Sequence, residues 1–146
     1  MILVTGGAGF VGLNVAEQLS ARGEEVVLYD LSGPPPAFKW KIVFEKGDVT
    51  HCARLEEVFL QHQPTQVVHL AAITAGPQRD ANAPRRIAEV NLIGTINVLD
   101  QVRKHGVRRL VHASTGALFG AAGVDVPVPL HEAMYSLIKG REASWE

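Results

Sequence analysis

At 146 residues, with 47% hydrophobic and 20% charged composition, the chain has enough material for one globular domain with a buried core and too little for two. A net charge of -1, with Lys and Arg scattered, creates no field that would draw nucleic acid or an anionic membrane, so the expected partner is a small molecule. Cys52, the single cysteine, permits no intrachain disulfide and points to the cytoplasm, and no apolar stretch approaches the roughly 18 residues of a membrane span.

Ile2-Leu3-Val4 is a short apolar run ending at Thr5 and a glycine cluster, as suits a strand buried on both faces. From Phe10 to Arg22, apolar residues at Val11, Val15, Ala16 and Leu19 follow helical spacing, which stops at Gly23. Val26 to Tyr29 is a second strand closing on Asp30, and completes one βαβ unit. Leu31 to Lys41, with Gly33 and Pro34-Pro35-Pro36, reads as a surface loop, and Trp40 as part of its packing. Ile42-Val43-Phe44 is a third strand. A helix over 53–61 carries Leu55, Val58 and Phe59 on its apolar face, and Val67-Val68-His69-Leu70 is a fourth strand. Pro84, behind candidate caps at Asp80 and Asn82, opens a long helix running to about His105 and ended by Gly106; Arg109-Leu110-Val111-His112 is the fifth strand. This alternation predicts an α/β protein, a Rossmann-type doubly wound parallel sheet of order 3-2-1-4-5 formed as a single domain.

The turn between the first strand and helix reads Thr5-Gly6-Gly7-Ala8-Gly9-Phe10-Val11-Gly12. A pyrophosphate must lie against bare backbone at a helix N-terminus, where N–H groups and the helix dipole favour negative charge, and a Cβ on the turn would block it. Gly6 and Gly9 meet that need, Phe10 and Val11 supply the first helical turn, and Gly12 lets the helix pack closely. Asp30, about twenty residues further on, can accept from the adenosine ribose hydroxyls and would repel a 2′-phosphate. No Arg or Lys follows before Lys39, so NAD is favoured over NADP.

With these residues the chain resembles the extended short-chain dehydrogenase/reductase family of epimerases and dehydratases, whose TGGxGFxG motif stands here as Thr5 to Gly12. Gly47-Asp48-Val49 resembles the family's G-D-[VI], which implies that Asp48 contacts the adenine ring, with Val49 beside it. His69-Leu70-Ala71-Ala72 resembles H-x-A-A, implying that Leu70, Ala71 and Ala72 line the cofactor. Asn91 and Gly94-Thr95 resemble N-x-x-G-T, where an Asn unfavourable in a helix is expected to hold a water or a kink. Ala113-Ser114-Thr115 resembles the S-S-[ST] stretch after the fifth strand, and Tyr135-Ser136-Leu137-Ile138-Lys139 the Y-x-x-x-K, which implies catalytic roles for Thr115, Tyr135 and Lys139, the last also binding the nicotinamide ribose. Phe119 stands where the family usually has Tyr. The resemblance further implies a nucleotide-sugar substrate, a C-terminal substrate lobe beyond this chain, and a homodimer as one assembly to expect.

Tyr and Lys at i and i+4 share one helix face, so the Lys139 ammonium would favour the Tyr135 phenolate and fit it as a base near neutral pH. The alternative is a dinucleotide sensor or scaffold in which the trio is idle. The histidines show no metal-ligand spacing, and Cys52 has no redox partner. Only Ala133 and Met134 separate Glu132 from Tyr135, where the family has a longer loop. Either that loop is absent or residues are missing there, the favoured reading, because loops over an empty substrate site are commonly mobile.

Overall fold

In a computed structural model, residues 1–74 and 83–114 are described. The chain divides into two compact units, Met1–Ala113 and Ser114–Glu146. The elements of the first unit, in order, are β1 (Ile2–Thr5), α1 (Phe10–Ala21), β2 (Val26–Asp30), β3 (Val43–Lys46), α2 (Cys52–His62), β4 (Gln66–His69), α3 (Pro84–Ala88), a π-helical turn (Glu89–Gly94), α4 (Thr95–Lys104) and β5 (Arg109–His112).

The five strands form one parallel sheet in the order β3-β2-β1-β4-β5, the arrangement expected from the alternating pattern. Val4 of β1 lies in register with Leu28 of β2 on one side and Val68 of β4 on the other. Because side chains alternate along a strand, each central strand feeds two cores. Leu3, Val27, Tyr29 and Val67 meet Leu55, Val58 and Phe59 of α2 and Val98 of α4 on one face. Ile2, Val4, Val26 and Leu28 meet Ala16, Leu13 and Leu19 of α1 on the other. The proline loop helps cover the second face: Phe38 and Ile42 pack there, and Phe38 N donates to Pro35 O at 2.9 Å. Removing β1 and β2 side chains from water on both sides stabilises the fold by about 1.5–3 kcal/mol per large apolar residue, which explains why these short runs suffice as strands.

The long helix departs from a regular one in two ways. Its N-cap is Ala83, with no side-chain cap bond, while Asp80 and Asn82 lie outside the described residues. A π-helical turn at Glu89–Gly94 then separates α3 from α4. The third strand begins at Val43, later than the apolar run, and continues through Glu45 and Lys46. Glu45 is held there by Arg54 at 2.5 Å and His62 at 2.7 Å, both from α2. Those bonds, the His62 one foremost, keep the Glu45 carboxyl below its usual range against the opposing effect of burial.

Candidate functional site

β1 and β4 stay paired to their carboxyl ends, where Leu70 N donates to Thr5 O at 3.0 Å, and a crevice of about 260 Å³ opens over the segments that follow β1 to β4, at the point where the strand order reverses. Gly6 and Gly9 line it from the loop after β1, Tyr29 and Asp30 from the end of β2 and Leu31 just beyond it, Gly47 to Val49 from the segment after β3, Leu70 to Ile73 from that after β4, and Arg86 and Val90 from the long helix. Gly6 has φ +67°, and a Cβ on it would stand 2.6 Å from Ala71 N, so the turn can lie against the β4 extension only without a side chain. On Gly12 a Cβ would meet Gly6 O at 2.4 Å, so this glycine packs α1 onto the loop itself. Gly9, the N-cap of α1, brings no side-chain cap, and the first turn holds no acidic residue, which leaves the positive end of the helix dipole for an anion from outside.

Two carboxylates mark the crevice. Asp30 Oδ2 accepts from Ala8 N at 3.0 Å and Oδ1 from Leu31 N at 2.7 Å, which ties the glycine loop to the end of β2. Each oxygen keeps a further lone pair for a ligand hydroxyl. Asp48 Oδ1 accepts from Thr50 N at 2.9 Å and from Thr50 Oγ1 at 2.8 Å, and its Oδ2 is ion-paired with Arg86. Burial works to raise the pKa of Asp48, but the two Thr50 bonds and the Arg86 guanidinium outweigh it and hold the carboxyl below its ordinary range. The fully buried Tyr29 donates from its hydroxyl to Asp48 O at 3.0 Å; burial pushes this phenol up to about 12, so it remains a donor.

Beside the crevice runs a chain of hydrogen bonds, buried at its Thr5–His69 end. Thr95 Oγ1 donates to Asn91 O at 2.8 Å, so it accepts from His69 Nε2 at 3.0 Å; His69 Nδ1 is then bare and accepts from Thr5 Oγ1 at 2.6 Å. The ring of His69 also stacks on that of His112, with centroids 5.1 Å apart. Burial first, and the neighbouring His112 second, push the His69 pKa down to about 4. The imidazole is thus a neutral strut joining the ends of β1, β4 and β5 to the long helix.

The structure gathers Gly6, Gly9, Asp30, Asp48, Val49, Leu70, Ala71 and Ala72 around one crevice. Phe10 and Val11 do not line it, and their side chains are exposed. Asn91 does not line it either: its Oδ1 accepts from Ile73 N at 2.8 Å and its Nδ2 donates to Ile73 O at 2.9 Å, and Ile73 is the residue in the wall. Thr115, Phe119, Tyr135, Lys139 and the Glu132–Tyr135 connection lie outside the described residues. Arg86, Leu31, Ile73 and Val90 were not found from the sequence. Arg86 meets Asp48 across a distance in the chain that no local spacing encodes; the one available signal was that a half-buried Asp needs a cation.

A model of the NAD dependent epimerase/dehydratase family matches residues 2–138. The chain belongs to this family. UDP-glucose 4-epimerase of Rhizobium meliloti (strain 1021) is 36% identical to it over 121 residues, which cover 82% of this chain and 36% of that protein. Human short-chain dehydrogenase/reductase family 42E member 1 is 32% identical over 147 residues, covering 94% of this chain and 37% of that one. Among solved structures, the UDP-glucose 4-epimerase of Thermus thermophilus in complex with NAD superposes with a TM-score of 0.74 at 38% identity, over 90% of this chain and 42% of that one. This member of the epimerase/dehydratase family therefore spans less than half the length of the relatives it matches. NAD is the cofactor in the family's description, and the crevice fits it: bare backbone at a helix N-terminus for the pyrophosphate, and an ionisable carboxylate one strand away for the ribose. Among the described residues no helix is long and apolar enough to cross a membrane.

Proposed function

We propose that the chain forms the cofactor-binding and catalytic part of an enzyme that oxidises, transiently or finally, a secondary alcohol of a nucleotide sugar. The crevice at the carboxyl edge of the sheet carries this reading, with the glycine loop and Asp30 facing the same space. The similarity to UDP-glucose 4-epimerases supports the substrate class.

NAD, when bound, supplies the hydride acceptor. The Gly6–Gly9 turn and α1 hold its pyrophosphate, and Asp30 takes the hydroxyls of the adenosine ribose while repelling a 2′-phosphate. Tyr135, as phenolate, takes the proton from the substrate hydroxyl; with the hydride passing from the carbon that bears this hydroxyl to the bound NAD, a carbonyl would be left. Lys139, four residues further along the sequence, favours the phenolate by its charge and binds the nicotinamide ribose. Thr115 donates a hydrogen bond to the reacting oxygen. The exposed apolar side chains of Leu92, Ile96 and Leu99 support a homodimer, and the lone Cys52 supports a cytoplasmic setting.

Replacing Tyr135 by Phe tests the reading against a non-catalytic dinucleotide sensor. With a UDP-hexose as substrate, turnover should fall by roughly 10²–10⁴-fold with NAD affinity kept. A protein that binds NAD yet shows no Tyr135-dependent turnover is a sensor.

A further inference from the structure

The base end of the crevice holds a cation for which the cofactor reading has no use. If the glycine loop takes the pyrophosphate and Asp30 the adenosine ribose, the purine lies beyond them, against Leu31 and the Gly47–Val49 segment that follows β3. Asp48 Oδ1 is already occupied there by both donors of Thr50. Oδ2 is paired with Arg86, which reaches it from α3 and lines the same crevice. Arg86 Nη1 otherwise stands 3.8 Å from Glu89 Oε2, too far for a hydrogen bond. A guanidinium carries five N–H groups in a fixed fork, so donors remain for a ligand.

We infer that Arg86 lets this crevice accept both 6-amino and 6-oxo purines, by placing a hydrogen-bond donor beside the Asp48 acceptor. The inference rests on the NAD reading above. A bare carboxylate accepts from an exocyclic amino group but faces a carbonyl oxygen with no proton between them, and such a buried mismatch is costly. Beside Arg86 the same spot serves both: an amino group donates to the second lone pair of Asp48 Oδ2, and a 6-oxo group accepts from the guanidinium.

Calorimetric titration of the full chain with NAD and with its hypoxanthine analogue, nicotinamide hypoxanthine dinucleotide, tests this. The wild-type protein should bind the two within about threefold of each other. Arg86→Met should shift the ratio by about tenfold or more toward NAD, the scale of a hydrogen bond to a charged group. Asp48→Asn, which replaces the acceptor by an amide donor, should shift it the opposite way and decides the matter if the Arg86 variant does not fold. A wild-type preference for NAD of about tenfold, or a ratio that neither substitution moves, overturns the inference while leaving NAD binding intact. Failure of the wild-type chain to bind either dinucleotide overturns the cofactor reading and the inference together.

Discussion

Asn91 holds one peptide of the segment after β4 by both of its polar groups, accepting from Ile73 N at 2.8 Å and donating to Ile73 O at 2.9 Å. An Asn in the middle of a long helix thereby fixes a wall residue of the crevice that it does not itself line. Asn91→Leu removes both bonds and should cost about 1–2 kcal/mol of stability in urea unfolding. NAD affinity should fall with it, because Ile73 loses its position. An unchanged unfolding midpoint and unchanged affinity would show that the grip carries nothing.

Gly9, the N-cap of α1, and Gly12, within its first turn, should respond differently to alanine. On Gly12 the added Cβ meets backbone, Gly6 O at 2.4 Å and Gly7 Cα at 2.6 Å, and neither can swing aside. Gly12→Ala should therefore destabilise the fold by about 1–3 kcal/mol. On Gly9 the nearest atom is Gly6 O at 3.3 Å, so the fold should absorb the change, while the methyl enters space that an anion would use. Gly9→Ala should melt close to the wild-type temperature and bind NAD far more weakly. Equal losses of stability in the two variants would contradict this division of labour.

The His69 strut makes stability depend on pH in a definite direction. Its pKa is about 4 in the folded chain and 6.5 when unfolded, so between these values the unfolded state carries a proton that the folded state does not. Stability is then fully present above pH 6.5 and declines as pH falls toward 4, by up to about 3 kcal/mol. Glu45 and Asp48, with carboxyls held below their usual range, act in the same direction only once their own range is reached, which leaves the upper part of the window to His69. His69→Gln should flatten the slope of unfolding free energy there. An equally steep slope in the variant would assign the effect elsewhere.

The fold was legible because its strands are apolar runs bounded by Gly, Asp and Thr, and because parallel strands separated by helices leave few topologies open. Gly6, Gly9 and Asp30 could be singled out for chemical reasons: an anion lying against bare backbone calls for glycine, and ribose hydroxyls call for an acceptor at the end of the second strand. Asn91 could be flagged as out of place in a helix, but its partner could not, since Ile73 has no feature that marks it as a recipient. The Thr5–His69–Thr95 chain joins residues far apart in sequence, each ordinary by itself. Arg86 was hidden for the same reason, and with it the fact that the Asp48 carboxylate is already engaged. The last two residues of β3 were missed because Glu45 and Lys46 are polar; an edge strand tolerates them where a central one would not.

The π-helical turn at Glu89–Gly94 gives the helix a different tolerance to replacement than to loss. Leu92 and Ile93 within it are exposed, so exchanging either for another helix former disturbs little. Deleting either would let the turn close into regular α-helix and rotate everything on one side of it by about 100° relative to the other. Arg86 would then leave Asp48 if Val98 and Gln101 stayed buried, or the reverse. At Leu92 and Ile93 length, more than identity, is the constrained property, and variation among functional versions of the protein should show many substitutions at these two positions and no single-residue gaps in the turn.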